Sequence, residues 1–157
     1  MGNEYRILVA IDLKIGTDRL LAEAQRFSKA LNAIVDIIHV APPDPDFVGY
    51  IKSDDPEEQT QEDMIRDSKA NALRAEHQKT HATGAKLRAN GVRVDQTLAV
   101  QGPILATVVA HASKLNSDLL IVGSHQHSAL YRLWYGDTSA DAAKHPPCAL
   151  LVVPMES

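Results

Sequence analysis

The residues best equipped for chemistry stand together in the last third of the chain. They are Gly123, Ser124, His125, Gln126, His127 and Ser128, followed by Gly136, Asp137 and Thr138. Glycines at a strand-to-helix turn let backbone N–H groups approach an anion, and the N-terminus of the next helix favours negative charge. The imidazoles of His125 and His127 and the hydroxyl of Ser128 add donors to such a cradle. The same residues also suit a solvated loop whose glycines only make the turn, and composition alone favours that plainer reading.

Other constellations carry less. His77 and His81 stand four apart, so on a helix they share a face and have the spacing of a two-imidazole chelate. A zincin glutamate and a third ligand nearby in sequence are missing, so no metal is expected. Cys148, the single cysteine, enters an apolar strand as a buried structural thiol would. Its neighbour His145 is separated from it by Pro146 and Pro147, a poor arrangement for a nucleophile and its base. The sequence has no nucleophile elbow, Walker loop or Rossmann fingerprint. Ala99-Val100-Gln101 lacks the acid of a phospho-receiver domain, and loops typical of ATP-dependent activating enzymes are absent. A turnover enzyme is not the favoured class. Tyr131, Leu133, Trp134 and Tyr135 suit core packing or a partner-binding patch equally well.

Five apolar runs supply the scaffold. Tyr5 to Ile11, a nearly unbroken β-branched run, reads as a strand buried on both faces. Ala33 to Val40, Val92 to Val100, Asp118 to Val122 and Cys148 to Val153 follow as further strands. Between them, Leu20, Leu21, Ala24, Phe27 and Leu31 mark one helix, with Thr17 as its N-cap. A long helix runs from about Glu57 to Ala89 on a thin stripe of Ile65, Leu73, His77, Thr80, Gly84 and Leu87, and Asn90-Gly91 stops it. Pro103 is placed to open a third helix, and a short one is expected over Ala140 to Lys144. Strand and helix alternate throughout, which predicts an α/β domain: an open five-stranded parallel sheet with helices on both faces and right-handed crossovers.

Length and composition agree with one soluble domain over 157 residues, large enough to bury its own core. The net charge of −4 argues against nucleic-acid and anionic-membrane partners. A Cys-rich zinc site and an intramolecular disulfide are excluded by the single cysteine. No apolar run reaches the roughly 20 residues of a membrane helix, and no secretory signal is visible, so a cytoplasmic setting is expected. Residues 42–63 hold four of the eight prolines and eight acids against Lys52 alone, which reads as an acidic loop opening into the long helix.

In such sheets a ligand binds beyond the carboxyl ends of the strands, where the strand order reverses. Order 2-1-3-4-5 would set Asp12 beside Gln101-Gly102, and order 3-2-1-4-5 would set it beside Gly123. The richer loop after the fourth strand favours 3-2-1-4-5.

YRILVAID at the start, the helix at Gly102-Pro103, and SDLLIVGSHQHSALYRLWYGDTSADAAKHPPCALLVVP at the end resemble the universal stress protein family over essentially the whole chain. The resemblance implies the 3-2-1-4-5 sheet of an adenine nucleotide alpha hydrolase-like fold. It also implies a cytoplasmic homodimer joined through Cys148 to Val153, a regulatory role with an unidentified protein partner, and at most slow ATP hydrolysis. Many members bind AMP, ADP or ATP, with or without Mg, through G-x2-G-x9-G-[ST] after the fourth strand. On that pattern Gly123 and Gly136 match, whereas Gln126 replaces the second glycine and Asp137 the hydroxyl residue, with Thr138 one place on. By the same resemblance Asp12 lies near the ribose or its metal, the backbone of Val40 meets adenine, and Val122 leads into the loop. A side chain at Gln126 obstructs close backbone approach to phosphate, and Asp137 repels it. AMP or ADP is therefore expected over ATP. The alternative is a protein-interaction module whose groove no longer binds nucleotide.

Overall fold

The computed structural model describes residues 4–12, 17–41, 56–124 and 147–155, with the side chains of 56–63 and 65 excepted. In chain order these form β1 (Arg6–Ile11), α1 (Thr17–Leu31), β2 (Ile34–Ala41), α2 (Pro56–Ala89), β3 (Arg93–Gln101), α3 (Ile104–Lys114), β4 (Leu119–Gly123) and β5 (Ala149–Val153). The helix expected over Ala140 to Lys144 lies outside the described residues. The strands form one sheet of order β3-β2-β1-β4-β5, every pair parallel, as the loop chemistry and the resemblance anticipated.

Alternation along β1 and β2 divides the core. Ile7, Val9, Ile11, Val35 and Ile37 face α1 and α2, while Leu8, Ala10, Ile38 and Val40 face Val108 and Ala112 of α3. This is why the first strand reads as continuously apolar: both of its faces are covered. The helices end alike. Asn32 (φ 50°), Gly91 (φ 87°) and Asn116 (φ 53°) adopt left-handed backbone. The next N–H then closes each turn: Ala33 to the Ser28 carbonyl, Val92 to Leu87 and Ser117 to Ala112, all within 3.0 Å.

Three expectations are corrected. Leu31 is 43% exposed, and the α1 stripe closes instead on Ser28, whose hydroxyl donates to the Gln25 carbonyl. Along α2 the described residues of the expected stripe divide: Thr80, Gly84 and Leu87 are buried, whereas Leu73 and His77 are exposed, and the side chain of Ile65 lies outside the described residues. The cause is length. The 34-residue helix spans about 51 Å, and Glu76 already meets His39 near the end of β2, so earlier turns run past the sheet. Pro103 is the N-cap of α3 rather than its first helical residue, with ψ of 121°. Just before it, the Gly102 N–H bonds the Ala41 carbonyl, continuing the β2–β3 pairing.

The opposite end of the sheet is pinned by charge. Asp36 is fully buried and takes three bonds from the Arg6 guanidinium, which also reaches Asp95 at 2.8 Å. Between Val35 and Ile37 the β2–β3 register slips by one residue, and the Asp36 carboxylate accepts the Gln96 N–H at 3.1 Å there. Burial pushes the Asp36 carboxyl above the ordinary carboxylate range despite the opposing pull of Arg6. Arg6→Ala leaves that carboxylate buried without its cation, so it is expected to cost about 3 kcal/mol at pH 8. Without Arg6 the folded-state value rises further, and a group raised on folding loses its stabilising contribution as pH rises through that value. The penalty should therefore be larger at pH 8 than at pH 5, measured by urea unfolding at both. Equal penalties would show that Asp36 is not the group left unpaired.

Candidate functional site

The carboxyl edge of the sheet is where β1 and β4 lie side by side, with Val9 opposite Ile121. Asp12 leaves β1 here, half-buried, and Gly123 ends β4. The structure thus brings together Asp12 and Gly123 as expected, with Val122 buried beneath and Val40 one strand away in β2. His125, Gln126, His127, Ser128, Gly136, Asp137 and Thr138 lie outside the described residues, as do the aromatic cluster around Trp134 and residues 42–55.

Gly123 has a packing role that the loop reading did not contain. A Cβ at this position would come within 2.8 Å of Met155 Cγ. Met155 is held over it because its backbone N–H donates to Ser124 Oγ at 2.9 Å. The end of β4 and the segment after β5 are therefore locked together at the mouth of the loop.

His39 is the polar residue that sequence reading missed. It is buried, on the α1/α2 face. Its Nδ1 donates to the Ile11 carbonyl at 3.0 Å, and its Nε2 lies 3.3 Å from Glu76 Oε2. The available signal was a histidine inside an otherwise apolar strand. Through Glu76, α2 is thus tied to His39, next to Val40, and His39 in turn to Ile11, next to Asp12. Beside it, an open groove of about 380 Å³ runs between α2 and the ends of β2 and β3, lined among others by His39, Ala41, Arg74, His77 and Gln101. Among the described residues no group of three or more His, Cys, Asp or Glu gathers as a metal cage. No helix among them is long and apolar enough to cross a membrane.

Cys148 is half-buried just before β5, and burial, aided by the negative charge of Asp118, pushes its thiol up to about 11. The thiolate is the reactive form, so the residue is chemically quiet. Its alkylation by iodoacetamide at pH 8 is expected to run about a hundredfold slower than that of an exposed cysteine. A rate matching the exposed thiol would mean that the strand edge opens freely.

The universal stress protein family model matches residues 5–154. Among curated proteins none matches the chain. Similar solved structures include the hypothetical protein MJ0577, at 20% identity over 96% of both chains with a TM-score of 0.64. A universal stress protein in complex with cAMP is 17% identical over 99% of this chain and 100% of its own, with a TM-score of 0.59. The universal stress protein from Archaeoglobus fulgidus in complex with dAMP is 19% identical over 97% of this chain and 98% of its own, with a TM-score of 0.54. These likenesses concern the fold, whereas the family match runs from the start of β1 to just beyond β5: the chain belongs to the universal stress protein family.

Proposed function

We propose that this protein is a ligand-sensing regulatory domain that binds an adenine nucleoside monophosphate at the carboxyl edge between β1 and β4. The observation that carries the reading is the juxtaposition of Asp12 and Gly123 at the strand-order reversal, the place where open α/β sheets take ligands. In this reading Asp12 accepts hydrogen bonds from ribose hydroxyls, and the Val40 backbone offers adenine a hydrogen-bonding edge. Two relatives of the same fold are described in complex with cAMP and dAMP, both monophosphates, which supports the same ligand class here. The loop residues His125, His127, Ser128 and Thr138 supply donors for one phosphate, while Gln126 and Asp137 disfavour a longer chain. Mg is not required for a monophosphate.

Calorimetric titration with AMP and ATP tests this directly, with AMP expected to bind more tightly. Gln126→Gly combined with Asp137→Ser is expected to shift preference toward ATP. Each recovered phosphate hydrogen bond is worth about 1.5–3 kcal/mol, roughly ten- to a hundredfold in affinity. Tighter ATP binding by the unaltered protein would overturn the role given to Gln126. Absence of binding by both proteins would leave a protein-interaction module.

The dimer belongs to the same proposal. β5 is an edge strand of the sheet, and Leu150, Leu151 and Val152 are half-exposed along it. An apolar edge left unpaired is a liability, and a second copy of the same strand covers it. Sedimentation at micromolar concentration is expected to show a dimer that Leu151→Lys dissociates, with the helical circular dichroism signal retained. A monomer in the unaltered protein would refute the assembly.

A further inference from the structure

We propose that His77 and His81 on α2 form a two-imidazole site for a nitrogen-preferring divalent cation, with Cu2+ bound most tightly and Ni2+ and Zn2+ less so. The two rings lie edge to face, their centroids 4.5 Å apart, and their Nε2 atoms are 3.0 Å from each other. Metal–nitrogen bonds of about 2.0–2.1 Å spanning that separation subtend about 94° at the ion. That is close to the cis angle of tetragonal Cu2+ or Ni2+ and somewhat narrow for tetrahedral Zn2+, and copper also heads the affinity order for such donors.

The second observation is the support behind His81. Its Nδ1 is 2.8 Å from Thr97 Oγ1 on β3. A metal-bound histidine typically gives its other ring N–H to such an oxygen, which fixes both tautomer and orientation. Thr97 is itself held. Gly84, one turn further along α2, lies so close that a Cβ there would meet Thr97 Cγ2 at 2.4 Å. The absence of a side chain at Gly84 lets α2 approach β3, and that approach brings His81 to Thr97. One ring is thereby pre-set from β3, and the other, His77, meets it through the Nε2 contact.

Without metal, the 3.0 Å contact is a hydrogen bond in which one Nε2–H donates to the lone pair of the other. Metal takes the place of that hydrogen. His81 keeps its Nδ1–H on Thr97, and His77 carries its proton on Nδ1, so both Nε2 lone pairs face the ion and neither ring changes charge. The absence of a zincin glutamate argues against catalysis, not against binding. Two protein ligands suffice where water fills the remaining positions. Both histidines are exposed, so the ion needs no entry path.

The test is a titration of the full chain with Cu2+ alone, followed by calorimetry and by electron paramagnetic resonance. The expected result is a first site of one Cu2+ per chain with two coupled imidazole nitrogens. Cu2+ should also broaden the amide signals of residues around 77–81 and of Thr97. His77→Ala or His81→Ala converts a chelate into a single ligand and should weaken that site by about a hundredfold. Thr97→Val should weaken it about tenfold while keeping the two-nitrogen signature. Because His77 and His81 are exposed, the two histidine variants should melt at the same temperature as the unaltered protein when no metal is present. Unchanged first-site affinity in His81→Ala would place the copper on other histidines and overturn the proposal. So would a single-nitrogen spectrum from the unaltered protein.

Discussion

The sheet hangs on one buried carboxylate. Asp36 has no solvent contact, yet it stands two residues into a strand whose other core-facing positions are apolar except for His39. Left alone, such a group would destabilise the fold by several kcal/mol. Here it accepts bonds from Arg6 of β1 and from the Gln96 N–H of β3, and Arg6 in turn holds Asp95. Three neighbouring strands are thus tied at one point. Parallel pairing has no hairpin to set its register, and a slip of one residue would carry Arg6 away from Asp36 and every apolar side chain to the wrong face. The charge cluster marks the one register in which both requirements are met.

That fixed register decides what appears at the other end. With Arg6 opposite Ile34, Ile11 falls opposite His39, and the His39 ring can reach the Ile11 carbonyl. The β2–β3 slip beside Asp36 also sets which β3 residues face α2, because it brings Thr97, not its neighbour, opposite Ile37. Gly84 then lets α2 close onto Thr97. Helix placement therefore follows from strand register, and the groove at the carboxyl edge follows from helix placement.

Much of the fold was legible because its signals are local. Continuous β-branched runs announce strands with both faces covered, and Asn90-Gly91 announces a helix end. The strand order came less directly, from the unequal chemistry of two loops and from a family resemblance. What the sequence did not disclose were contacts between residues far apart in the chain. Asp36 reads as a polar interruption in a strand until Arg6 stands beside it. His39 looks like a satisfied core residue until Glu76 and the Ile11 carbonyl are seen around it. The inner stripe of α2 was drawn too long because periodicity does not say where the underlying sheet ends. In the candidate site, Asp12 and Gly123 could be paired by topology alone. Gly123 was assigned to phosphate approach, and its contact with Met155 was hidden because its partner belongs to a segment 32 residues away.

The two polar anchors of β2 have different consequences because of where they sit. Asp36 lies at the amino end of the sheet, closed among strands, and its bonds report only on whether the fold is intact. His39 lies at the carboxyl end and joins β1 to α2. Its Nδ1 holds the backbone of Ile11, next to Asp12, and its own backbone leads directly into Val40. Its Nε2 holds Glu76, in the part of α2 that is leaving the sheet. Among the described side chains before Glu76 none is buried, with Met64 68% exposed and Leu73 36% exposed. Any shift of that half of α2 must stretch the His39–Glu76 contact or drag the ring with it, and the ring is bonded to the strand end that carries Asp12. The long helix and the edge between β1 and β4 are therefore joined through one side chain, although no residue of α2 belongs to the loop after β4.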